Sequence, residues 1–149
     1  MLKSASAEES SWVAHDLQCE PRGRAFDRFA EAMGDHEPEA GAAPSPSSDR
    51  RTLQRFYEAQ CVKDETMGES IAEAYAAGAI GGKHPLVVHF NGAFHTDFRE
   101  GTTARVARRL KGKRLEVLTL LPVADLDAVA PTREDRKRAD FLVYTEKDD

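Results

Sequence analysis

A small α/β fold is the reading that three features of this sequence support. Apolar residues recur at helical spacing over a long central stretch. Short β-branched runs punctuate the second half. Helical and strand patterns then alternate, in the order helix, strand, helix, strand, helical connection, strand. Such an alternation implies crossover connections and a mainly parallel sheet, here of about three strands with flanking helices.

Each element has a local reason. Residues 1–20 are polar and aperiodic and read as a flexible leader. After Pro21, Phe26, Phe29, Ala30 and Met33 fall at i, i+3, i+4 and i+7, which places them on one face of a short helix that Gly34 ends. From Asp35 to Asp49 the chain carries Pro38, Gly41, Pro44 and Pro46 among serines. That composition buries too little apolar surface to offset its ordering entropy and reads as a loop. From about Arg50 to Ala77, Leu53, Phe56, Tyr57, Gln60, Asp64, Met67, Ile71 and Ala74 repeat along one helical stripe, and Gly78 is the stop signal.

The run Pro85 to Phe90 predicts a strand buried on both faces. Thr102 to Lys111 predicts a helix with Thr103, Val106, Ala107 and Leu110 inward and Arg105, Arg108 and Arg109 outward. Leu115–Leu121 and Ala139–Thr145 complete the strands, with the charged excursion Thr132–Arg138 between them. Three parallel strands with open edges and thinly covered faces are marginal as an isolated unit. The stretch 21–149 therefore looks like part of a larger domain that needs either a missing amino-terminal segment or a second copy of itself.

Composition narrows the function classes. The chain of 149 residues has 21 Lys and Arg against 26 Asp and Glu, a formal net charge of −5, and is 40% hydrophobic and 32% charged. An acidic chain has no general attraction for phosphate backbones, which argues against a nucleic-acid partner. No run approaches the roughly 20 apolar residues of a membrane span, and no signal-peptide core opens the chain, so the sequence alone predicts a cytoplasmic location. Cys19 and Cys61 lack the paired spacing of a zinc or redox motif, and reduced thiols are their expected state.

Two features carry candidate chemistry. Asn91, Gly92, Ala93, Phe94 and His95 follow the strand that ends at Phe90, and ligands of open α/β sheets bind beyond the carboxyl ends of strands. Gly92 permits a positive φ or a close approach, Asn91 offers a donor and an acceptor, and His95 supplies an imidazole. The plainer reading is an Asn-Gly turn with a surface histidine. On the long helix, Gln60 and Asp64 share the stripe of Tyr57 and Met67. A carboxylate facing inward must be paired, hydrogen-bonded or bound to a cation, or else lie at the edge of that face. Glu65 is about 100° further round.

Together the stretch AQCVKDETMGESIAEA, the GxxH motif at Gly92–His95, the helix TTARVARRL and the closing ADFLVYT resemble the ChaN-type haem-binding uptake family of the Tiki superfamily, over about Phe26 to Tyr144. The resemblance implies an α/β domain, a bacterial envelope or lipoprotein-related protein of iron acquisition, and haem as the ligand. Superfamily relatives that are metal-dependent hydrolases imply an alternative, a divalent-metal site with His95 and Asp64 as ligands and Glu65 or Gln60 positioning a water.

The chain departs from the family pattern in having one GxxH motif, no amino-terminal strand with its own histidine motif, no signal segment, and Lys63 where arginine is usual. These departures predict the carboxyl-terminal part of the family domain, and a cell-envelope location if an export segment lies upstream. Haem iron accepts His, Tyr or Met, which makes Tyr57, Tyr75, Met67, His84, His89 and His95 eligible. His89 reads as a core histidine, Tyr57 and Met67 read as packing residues, and the basic cluster from Arg105 to Arg114 reads as a solvated face or a propionate partner.

Overall fold

The computed structural model describes residues 6–19, 23–34 and 50–147, and the stretch 35–49 read as a loop lies outside them. The chain divides into two compact units, Met1–Thr66 and Met67–Asp149. Its elements are α1 (Ala7–Ser10), α2 (Arg24–Gly34), α3 (Arg50–Gly78), α4 (Gly101–Arg109), β1 (Leu118–Val123), α5 (Asp135–Arg138) and β2 (Phe141–Glu146). The long helix begins and ends where its periodicity and Gly78 place it.

In the first unit residues 6–19, part of the stretch read as a flexible leader, are built into the structure. Ser6 caps α1: its hydroxyl accepts the Glu9 amide at 3.1 Å, and the Glu9 carboxylate accepts the Ser6 amide at 2.7 Å. Downstream, Ala14 is buried, and its amide donates to Thr66 Oγ1 at 3.2 Å. Cys19 and Cys61 form a disulfide rather than the expected pair of free thiols. Spacing alone misses it, because the link joins the leader to a helix turn that sequence places 42 residues away. Phe26 and Phe29 of α2 are buried as their spacing predicts. Both meet the ring of Tyr57, at 5.2 Å edge-on and 5.7 Å tilted.

The second unit holds a two-stranded parallel sheet, with Leu118 opposite Phe141 and Leu120 opposite Val143. The α/β class holds, with two strands rather than three. Residues 85–90 form no strand, and they are not buried on both faces: Leu86, Val88 and Phe90 are 89%, 64% and 88% exposed, while Pro85 and Val87 are half-buried. Apolar content predicted a central strand, but the backbone bonds that would make it one are not formed. On α4, Thr102, Thr103 and Val106 are buried and Ala107 is exposed. The helix is thus rolled toward its threonines relative to the expected inward face.

Close approach of α3 and α4 depends on Gly68, where an added Cβ would lie 2.6 Å from Arg105 Cβ and 3.3 Å from the Arg105 carbonyl carbon. Gly68→Ala forces these backbones apart and is expected to cost about 1–3 kcal/mol, read by chemical denaturation. Replacing both Cys19 and Cys61 with serine removes a long covalent loop, and the same measurement is expected to show a loss of about 3–4 kcal/mol.

Candidate functional site

Within the second unit, residues 87–91 alternate in the manner of an extended chain. Val87, His89 and Asn91 turn to a cavity of about 120 Å³, whose other walls include Thr96, Ile71 of α3, Thr102, Thr103 and Val106 of α4, and Leu115 to Leu118. The walls mix apolar side chains with about as many polar ones, more polar than the usual ligand pocket. Asn91 Nδ2 is buried without a hydrogen-bond partner, so the wall offers an amide NH2 donor to a small acceptor. Thr103 Oγ1 donates to the Thr96 carbonyl at 3.3 Å, and Thr102 Oγ1 reaches Met67 Sδ at 4.0 Å. That contact puts Met67 in the packing, as its position on the stripe suggested.

The loop beyond Asn91 makes two tight turns, Ala93–His95 and Asp97–Arg99. Gly92 adopts φ −65°, and an added Cβ would meet nothing within 4 Å. Gly92 does not use the positive φ open to it, and the space around it is open. The left-handed conformations fall on Phe98 (φ 60°) and Arg99 (φ 59°), side chains that rarely adopt them.

Ion pairs on either side hold that turn. Buried Asp97 accepts Thr119 Oγ1 at 3.0 Å and the Arg138 guanidinium at 2.6 Å, and Arg138 also lies 5.2 Å from the Phe98 ring centroid. Arg99 pairs with Asp140 and donates to the Leu115 carbonyl at 2.8 Å, while Asp140 accepts the Val117 amide at 2.8 Å. That amide bond, reinforced by Arg99 and opposed by partial burial, holds the Asp140 carboxyl below its ordinary range.

The candidate residues divide between the units. Tyr57, Gln60, Asp64 and Glu65 belong to the first, and Asn91, Gly92 and His95 to the second. Asp64 is 6% exposed and Glu65 fully buried, so the helix turns Glu65 inward more completely than the stripe assigned to Asp64 suggested. Cys61, Asp64, Glu65 and Gly68 are the buried positions of that stretch. His95 is half-buried with its ring 5.5 Å from that of Phe94, and it is His89, read as a core histidine, that lines the cavity while remaining exposed overall. The Asp97–Arg138 pair had no sequence signal, because its members lie 41 residues apart.

Much of the basic cluster is engaged within the chain. Arg105 and Arg109 turn back to α4 carbonyls, Lys113 lies over the Tyr75 ring, and Arg114 binds Glu116. Among the described residues, no three His, Cys, Asp or Glu side chains stand together as a metal-binding group, and no helix is long and apolar enough to cross a membrane.

The family described as "Haem-binding uptake, Tiki superfamily, ChaN" matches residues 1–106. The chain belongs to that family. The ChaN match takes in the amino-terminal residues that the sequence resemblance left out and stops within α4, short of β1 and β2. It therefore gives no support to placing the chain in the carboxyl-terminal part of the family domain. Comparison with curated proteins and with solved structures gave no match.

Because the folded-state pKa of Asp140 lies below its unfolded value, its stabilising contribution is complete above the ordinary carboxylate range and is lost as pH falls through the folded value. Asp140→Asn is expected to lower the melting temperature at pH 7 and to flatten the decline in stability between about pH 5 and pH 2.

Proposed function

We propose that this chain is a haem-binding protein of iron or haem acquisition and that the loop Asn91–His95 is its haem contact. Family membership over residues 1–106, which include this loop, is the observation that carries the reading. The cavity behind Asn91 is not the haem pocket. At about 120 Å³ it is well below the roughly 300–1,000 Å³ of pockets that enclose ligands of such size. Haem fits instead against the open side of the loop, where Phe94 is 47% exposed, Gly92 is bordered by free space, and the His95 imidazole is half-buried beside the Phe94 ring.

His95 would hold the haem by offering an imidazole nitrogen to its iron, a ligand type that haem proteins use. Of the eligible side chains, His95 combines an imidazole with an adjoining apolar surface. Tyr57 is held by Phe26 and Phe29, and Met67 faces Thr102. Phe94, its ring 5.5 Å from that of His95, would lend apolar cover to the porphyrin. The proposed location is the oxidising cell envelope, and the Cys19–Cys61 disulfide supports it, since such bonds persist where thiols are not kept reduced.

Hemin titration of the purified chain is expected to give a saturable Soret shift at micromolar concentration. His95→Ala is expected to weaken binding at least about tenfold, equivalent to about 1.4 kcal/mol, with the melting temperature nearly unchanged. Tyr57→Phe is expected to leave the affinity unaltered. A spectrum identical to free hemin at every concentration overturns the reading, and lost stability with retained affinity in His95→Ala makes the loop a fold element.

A further inference from the structure

The cavity beside Asn91 is walled by residues of the second unit, from Ile71 to Leu118, and the haem reading makes no use of it. Its capacity is limited. An engineered apolar cavity of about 150 Å³ holds one benzene, so about 120 Å³ suits a molecule of about five non-hydrogen atoms. Much of its polar wall is engaged from within. The Thr96 hydroxyl donates to the Ala93 carbonyl at 3.3 Å, the Thr103 hydroxyl donates to the Thr96 carbonyl at 3.3 Å, and the Thr102 hydroxyl donates to Met67 Sδ at 4.0 Å. Among the described residues of this wall, Asn91 Nδ2 is the buried donor left without a partner. A buried amide in that state carries a free-energy cost that an incoming acceptor removes.

We propose that this cavity is a second ligand site, separate from the haem contact, for a small neutral molecule with a carbonyl oxygen at one end and an apolar body at the other. The oxygen accepts from Asn91 Nδ2, and the body lies against Val87, Val106, Leu115 and Val117. Charge selects the neutral class. Among the described residues no lysine or arginine lines the cavity, and His89, which does, is exposed to solvent that screens it. An anion therefore leaves water for a wall without a countercharge, which costs more than one amide bond returns. A cation fares no better, because the acidic residue at the wall, Glu116, already has Arg114 at 2.5 Å. A purely apolar molecule leaves Asn91 unpaired. Water satisfies the amide but is poorly held against the aliphatic side chains, and its displacement favours a ligand with an apolar body.

Titration of the hemin-free full chain with 2-butanone, propionate and cyclopentane, followed by nitrogen-edited NMR, tests this with probes matched at about five non-hydrogen atoms. The ketone is expected to shift the Asn91 side-chain amide and the Thr102 and Thr103 backbone amides saturably, with a dissociation constant of about 1–10 mM. Propionate at neutral pH is expected to bind at least about tenfold more weakly. Asn91→Leu is expected to weaken 2-butanone about fivefold and to leave cyclopentane binding in place. The ranking of the probes on the unaltered chain decides the proposal without that variant. Propionate that binds as well as the ketone overturns the neutral class, and cyclopentane that does so overturns the role of Asn91. Shifts that saturate with none of the probes leave the cavity to water and overturn the site. Because hemin is absent throughout, each of these outcomes leaves the haem reading standing, and a failed Soret titration leaves this site standing.

Discussion

The second unit depends on two carboxylates that tie a strained turn to its sheet. Phe98 and Arg99 occupy a conformation that costs non-glycine residues of the order of 1–3 kcal/mol each. Asp97 and Asp140 offset this by binding Arg138, Thr119, Arg99 and the Val117 amide. The turn connects Thr96 to Thr102 and Thr103, and all three line the cavity. The same aspartates bracket the sheet. Asp140 immediately precedes β2, and its carboxylate holds the Val117 amide one residue before β1, while the Asp140 and Phe141 amides both donate to the Val117 carbonyl at 3.0 Å. Strand entry and cavity wall are thus fixed by one ionic arrangement.

Where local pattern decides structure, the sequence is legible. The ends of α3, the burial of Phe26 and Phe29, the helical character of residues 101–109 and the parallel pairing of the last two strands all follow from periodicity and turn residues. Local pattern fails where a distant partner decides. The run Pro85–Phe90 has strand composition, yet a strand exists only through the backbone bonds of a neighbour. Ala107 and Glu65 depart from their expected faces because a helix rolls to suit what packs against it, and a roll of less than one residue spacing is enough to exchange Asp64 for Glu65 as the deepest carboxylate.

The candidate site shows the same division. Asn91 and His95 could be named because they follow an apolar run, but their environments could not. Asn91 lines a half-open cavity with a buried, unpartnered amide nitrogen, whereas His95 sits on the loop beside Phe94. Two neighbouring polar residues therefore serve different surroundings, a small cavity and a broad surface. His89 was assigned to the core by its apolar neighbours, and the strand alternation that would have buried it instead brings it to the cavity wall while leaving it largely open.

The disulfide closes residues 19–61 into a covalent ring, and α2 lies wholly within it. A ring and an open chain answer a broken backbone differently. A single peptide-bond cut between the two cysteines linearises the ring but releases no fragment. The aromatic contacts of Phe26 and Phe29 with Tyr57 then join pieces that remain tethered at a high effective concentration. Only when the cut is combined with reduction does the first unit become two separable chains, so its integrity against proteolysis is set by the redox state of one bond.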